Sequence, residues 1–178
     1  MKINSVKIQT TLMFTLILSF LYKQNNVSLN NMDKIRHVKI LLDSFEKLVQ
    51  KQIIVRTGDA VKDLKLIDEG AFALVSHNGE KDPILNYGNQ FALDLWELNW
   101  DNFIKTPSRK TAEIDLRTRR EEVLKIVIKK GFYDEYEGVR ISSKGKRFRI
   151  KNAIIWNVLD KQNGRIGQAA YFTDIEYI

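Results

Sequence analysis

Two histidines, a basic hairpin and a few neighbouring carboxylates are the residues of this chain that could do chemistry. His77 stands three residues before Glu80, which is half a metal site, and His37 falls on a different element with no ligand set beside it. Asp134 and Glu135 in "DEYE" (134–137) would project to opposite faces of a strand, so they do not converge as an acid–base pair. "RISSKGKRFRIK" (140–151) holds six basic residues and no acid, with Phe148 between Arg147 and Arg149. Basic residues around an aromatic suit nucleic acid, by charge and stacking. The same stretch also reads as a half-buried strand, with Arg147, Arg149 and Lys151 on one face and Phe148 and Ile150 on the other. No nucleophile-elbow serine, phosphate-cradling glycine loop or dinucleotide fingerprint is present. The expectation is therefore a non-enzymatic protein with no catalytic residues and no metal site.

Composition narrows this further. The chain has 178 residues, 44% of them apolar, enough for one domain with a core. It has no cysteine, which excludes disulfides, thiolate metal sites, cysteine nucleophiles and a flavin–cysteine adduct. Lys and Arg number 29 against 22 Asp and Glu, a net charge of +7 that fits either an anionic partner or a well-solvated surface.

The elements that must position these residues follow from periodicity. "TTLMFTLILSFLY" (10–22) is apolar behind Lys2 and Lys7, but it has no small-residue cleavage site after it and is short for a bilayer core of about 30 Å. An Asn-rich spacer follows, and Met32 opens a clean helical pattern. Residues 1–31 are read as an extension upstream of a translation start at Met32, and 32–178 as a cytoplasmic domain. The alternative is membrane association through 10–22. Asp33 caps a helix over 33–50 with Ile35, Val38, Leu42, Phe45 and Val49 on one stripe, suited to packing on its own sheet or to pairing with a second copy or an output protein. A second helix is expected near 59–69, with Val61, Leu64 and Ile67 inward. A hairpin of "AFALVSH" (71–77) and "PILNY" (83–87) comes next. Asn89 and Asn99 then cap two short helices. A charged helix runs from Asp115 to Lys130, its apolar face made of Leu116, Val123 and Val127 and broadened by Leu124, Ile126 and Ile128. Strands at 132–141, 146–159 and 165–178 close the chain as an antiparallel meander, so the fold class is α+β.

Three stretches carry a resemblance: "FALVSHNGEKDPILNYGNQFALDLWELNWDNFIKTPSRKTAE" (72–113), "GVRISSKGKRFRIKNAIIWNVLD" (138–160) and "GQAAYF" (167–172). Together they resemble the MEKHLA domain family, a PAS-like group found in small bacterial proteins and at the C-terminus of plant class III homeodomain–leucine-zipper proteins. Tyr87-Gly88-Asn89 is similar to the Y-x-N that closes the first PAS hairpin. The hexapeptide that names the family, a homeodomain and a long zipper are all missing, so no DNA binding carries over. The resemblance implies a PAS-like five-stranded antiparallel sheet with helices on one face, preceded by the N-terminal helix, and a sensory or regulatory role.

In PAS domains small ligands sit between sheet and helices. A ligand here would be expected among Tyr87, Phe91, Trp96, Phe148 and Trp156, with Ser108 and Arg109 offering polar contacts to an anionic or carbonyl group. No cofactor is assigned. The alternatives are a dimerisation module without a ligand and, as a minor one, nucleic-acid binding through the 140–151 hairpin.

Overall fold

A computed structural model describes residues 31–112 and 117–178; the apolar stretch 10–22, the start at Met32 against residues 1–30, and Leu116 lie outside or at the edge of what it describes. Helix α1 (31–49) carries the predicted stripe. Helix α2 (Ala60–Asp68) starts at Asp59, whose carboxylate accepts from the backbone N–H groups of Val61 and Lys62. Strands β1 (Ala73–Asn78) and β2 (Leu85–Gly88) form the hairpin. Helices α3 (Gln90–Trp96) and α4 (Trp100–Phe103) follow, capped by Asn89 and Asn99 as expected. A single 3-10 turn (Ser108–Thr111) leads towards α5 (Arg117–Lys130). Strands β3 (Phe132–Ile141), β4 (Arg147–Leu159), β5 (Arg165–Phe172) and β6 (Asp174–Tyr177) complete the chain. Among the described residues no helix is long and apolar enough to cross a membrane.

The sheet is antiparallel, in the order β2-β1-β5-β4-β3. The last predicted strand is broken at Thr173. Its two pieces both run along β4: β5 beside Ile154–Leu159, and β6 beside Phe148–Lys151. The five positions of the expected sheet are therefore filled by six strands, with β5 and β6 sharing one side of 13-residue β4.

Two cores sandwich this sheet. Helices α3, α4 and α5 cover one face, where Leu95, Trp96, Phe103, Val123 and Val127 meet Phe148, Ile150, Ile155 and Phe172. The opposite face is covered by α1, whose Val38, Leu41, Leu42, Phe45 and Val49 are buried against Leu74, Tyr87, Trp156, Val158 and Ala169, together with Ile67 of α2. Each such side chain contributes about 1.5–3 kcal/mol when fully buried, so the stripe of α1 is spent on its own sheet. Phe45 meets Trp156 edge-on at 4.9 Å.

Two expectations about helix faces change. Val61 is 60% exposed, and Asp63 takes the buried position on α2 instead. Asp63 receives the Arg56 guanidinium at 2.8 Å and the backbone N–H and hydroxyl of Thr57. Burial pushes its carboxyl up, but those donors outweigh it and hold it below the usual range. Arg56 also reaches Asp43 and Glu46, which ties α1 to α2. On α5, Ile126 and Ile128 point outward, the latter 48% exposed. The 100° step of a helix lets only Val123, Leu124 and Val127 share the sheet side.

Candidate functional site

Asn89, the last residue of the Tyr87-Gly88-Asn89 motif, locks the corner from which the site is built. Its buried amide donates to the carbonyls of Ile67 and Phe72 at 2.9 and 2.8 Å and accepts from the N–H groups of Leu74 and Ala92 at 3.0 and 3.3 Å. One side chain thus satisfies the end of α2, the start of β1 and the start of α3. Gly88 is required beside it, because a Cβ there would meet the Phe103 ring at 2.8 Å. At the far end of α3, Glu97 takes φ 53°. The β3–β4 turn docks on it, with Ser142 donating to the Glu97 carboxylate at 2.6 Å and the Ser143 N–H to the Trp96 carbonyl at 3.0 Å. These contacts fix Trp96 over the sheet.

Beneath Trp96 the packing is incomplete. A cavity of about 60 Å³ lies between the sheet and α3–α5. Its apolar walls include Leu85, Phe103, Leu124, Ile150, Ile155 and Phe172, and its polar lining on this face comes from His77, Thr111, Tyr136, Arg140 and Gln168. The Gln168 amide donates to the Leu124 carbonyl at 3.1 Å and to the Asn157 side chain at 3.3 Å, while Asn157 donates to the Val127 carbonyl at 2.8 Å. These amides hold α5 on the sheet at the edge of the cavity. His77 donates from Nδ1 to the Asn78 carbonyl at 2.8 Å. Among the described residues no group of three metal-capable side chains occurs.

Of the seven expected site residues, Trp96 alone lines this cavity. Phe148 is buried behind it, edge-on to Trp96 at 5.4 Å. Phe91 is partly buried at the margin of the same core. Ser108 is buried in the 3-10 turn, its N–H donating to the Pro83 carbonyl, and Arg109 lies on the surface paired with Asp82 at 3.0 Å. Tyr87 and Trp156 are on the other face of the sheet, under α1. Tyr87 donates its hydroxyl to Asp68 at 2.8 Å; burial and that carboxylate both raise its pKa.

The reason is an extra residue in each strand. In β2, Leu85 pairs with His77 but Tyr87 pairs with Ser76, so Asn86 is a bulge and the two neighbours of Asn86 face opposite ways. In β4, Ile150 pairs with Gly138 and Ala153 with Tyr136, and Asn152 sits at φ 51°. Strict alternation would put Phe148 and Trp156 on one face; the bulge at Asn152 separates them.

Arg140 and Tyr136 are among the cavity residues that were not expected. Both belong to the same stretch of β3, two steps of two apart, and Arg140 pairs with buried Phe148 in the sheet register. The alternation Tyr136, Gly138, Arg140 was the available indication; the expected outer face of the hairpin named only Arg147, Arg149 and Lys151. The other bases of that hairpin largely meet acids or a ring. Arg149 lies near Glu137 and Glu176, Lys151 is 2.9 Å from Glu176, and Lys146 stands over Tyr177.

Comparison with known proteins agrees with this architecture. The MEKHLA domain model matches residues 35–177. No curated protein matches the chain. A PAS domain from Colwellia psychrerythraea superposes with a TM-score of 0.56 at 16% identity, covering 67% of this chain and 98% of that one. A light-oxygen-voltage domain from work with a flavin analogue gives 0.52 at 12% identity, covering 65% and 83%. An RNA-binding light-oxygen-voltage receptor gives 0.55 at 12% identity, covering 68% of this chain and 35% of that one. At such identities the likeness is one of fold.

Proposed function

We propose, from the premise that this chain belongs to the MEKHLA domain family, that it is a non-enzymatic sensory or regulatory module of the PAS type that takes a small ligand between its sheet and α3–α5. The observation that carries this reading is the cavity itself. It is a gap in the core between sheet and helices, mostly apolar, with a few polar groups set into its wall. Its wall includes Leu124 of α5 and Gln168, which bonds the Leu124 carbonyl. A ligand there touches both the helix and its tether, so it can favour one position of α5 over another. Differential affinity of that kind is what a ligand needs to shift a population.

Native mass spectrometry with an absorption spectrum, on the full chain purified from a cell, tests the reading. A stoichiometric added mass or a chromophore is the expected result. A bare dimer would instead favour the association module. The buried stripe of α1 leaves a partner only its outer side, where Arg36, Lys39 and Asp43 are exposed. A bare monomer that binds none of a chemically broad set of small molecules would overturn both readings.

A further inference from the structure

Arg140 is 6% exposed, on the cavity wall, and no carboxylate among the described residues is paired with it. A guanidinium has five N–H donors. Of these, Nη1 reaches the Val139 carbonyl at 2.9 Å and Nη2 the Tyr136 hydroxyl oxygen at 2.9 Å, both neutral acceptors. Because Tyr136 accepts from Arg140, its own O–H remains to donate. Trp96, 4% exposed and on the same wall, has an indole Nε1–H with no hydrogen-bond partner among the described residues. Three buried donor groups therefore line one small space, one of them carries a full positive charge, and no acid among the described residues answers them. A buried charge without a counter-charge costs several kcal/mol, and an indole N–H is ordinarily bonded when buried.

We infer that the cavity is built for a short-chain monocarboxylate, its carboxylate on Arg140, Tyr136 and Trp96 and its alkyl end against Leu85, Phe103 and Ile155. The inference rests on the sensory reading above and supplies its ligand class. The chemistry follows from the donor set: a carboxylate is acceptor-only, planar, and matched to the guanidinium fork. Size points the same way. A cavity needs about 10–15 Å³ of such space for each water, so about 60 Å³ holds about four to six waters and the ligand has only a handful of heavy atoms. Drug-sized ligands and ring cofactors occupy pockets of about 300–1,000 Å³. The mainly apolar wall favours a carboxylate with a short tail over an inorganic oxyanion that is polar on every side. Arg109, the arginine that sequence placed at the site, is occupied on the surface by Asp82.

The test is thermal unfolding of the full chain in sodium acetate, propionate and butyrate, against sodium chloride and nitrate at equal ionic strength and against propionamide. A saturable rise in Tm is expected with one of the carboxylates, none with the amide, and a smaller one or none with nitrate. Arg140→Met should abolish the rise while leaving the ligand-free Tm equal to or above that of the wild type, which a merely structural arginine would not do. Arg140→Lys keeps the charge but loses the fork and should weaken binding about tenfold; Trp96→Phe keeps the ring and loses the N–H and should weaken it severalfold. If Arg140→Met does not fold, the acid–amide comparison on the wild type and the lysine variant decide the matter. Equal shifts by acid and amide, a larger shift by nitrate, or carboxylate binding that survives in Arg140→Met would each overturn the assignment. A neutral molecule recovered with the purified chain would overturn the carboxylate and leave the sensory reading standing; a chain that binds neither acids nor neutral molecules would overturn both.

Discussion

His37 should make this protein lose stability in mild acid. Its Nε2 lies 2.9 Å from the Ser76 hydroxyl, which in turn donates to Asn86 at 2.6 Å, so the imidazole is the donor and bears its proton on Nε2. The ring lies 6.0 Å from Tyr87, between α1 and the sheet. Burial lowers its pKa to about 4 from 6.5. As pH falls below 6.5 the unfolded chain takes up this proton before the folded one does, so stability drops between pH 6.5 and about 4 and levels off below. At 1.36 kcal/mol per pKa unit the full loss is about 3 kcal/mol, of which about 2 kcal/mol is reached between pH 7 and pH 5. Asp68, beside Tyr87, acts in the opposite sense: burial raises its pKa, so folding favours its protonated form as acid is added. His37→Gln separates the two, because the amide still donates to Ser76 but does not titrate. Urea unfolding at pH 7 and pH 5 should show the wild-type midpoint falling by roughly 1 M relative to the variant's, for a slope of about 2 kcal/mol/M. Parallel changes in the two proteins would refute the argument that α1 holds a neutral, buried imidazole on the sheet.

Four further outcomes follow from the packing. Phe45→Ala removes the ring that lies against Trp156 and should cost about 3–5 kcal/mol in chemical denaturation, with a red shift of tryptophan emission as α1 loosens. Asn89→Ala removes the acceptor of the Leu74 and Ala92 N–H groups and the amide donor of the Phe72 carbonyl, while the Ile67 carbonyl keeps the Gly70 N–H; it should cost about 3 kcal/mol, lowering Tm beyond the loss of an ordinary helix cap. Gly167→Ala places a Cβ 2.1 Å from the His77 carbonyl oxygen; the β1–β5 pairing should open, which amide hydrogen exchange in residues 73–78 would detect. Deleting Asn152 should abolish folding, read by circular dichroism, since it would turn Trp156 to the face of Phe148, whereas Asn152→Gly at φ 51° should fold as the wild type does.

The sequence by itself determined which segments are helix and which are strand, because those depend on short-range periods and caps. Asp59, Asn89 and Asn99 start the helices where their side chains bond the first free N–H groups, and the stripe from Val38 to Val49 is buried as its spacing requires. The order of helices, hairpin, helices and meander could be read from the same patterns, and its PAS-like arrangement followed from the resemblance. Tertiary structure decided which face of the sheet each strand residue serves. One extra residue at Asn86 and another at Asn152 reverse the alternation downstream, and an asparagine within a strand is not by itself enough to mark a bulge. Tyr87 and Trp156 therefore belong to the core under α1, and Trp96 alone of the expected aromatics lines the cavity. Arg140 shows the same limit in charge. In the sequence it is one of six bases in a hairpin, but the register of β3 on β4 sets it opposite buried Phe148 and turns it inward, while Arg149 and Lys151 remain at the surface with Glu176. Burial is a property of what lies across the sheet, and a single strand does not carry that information.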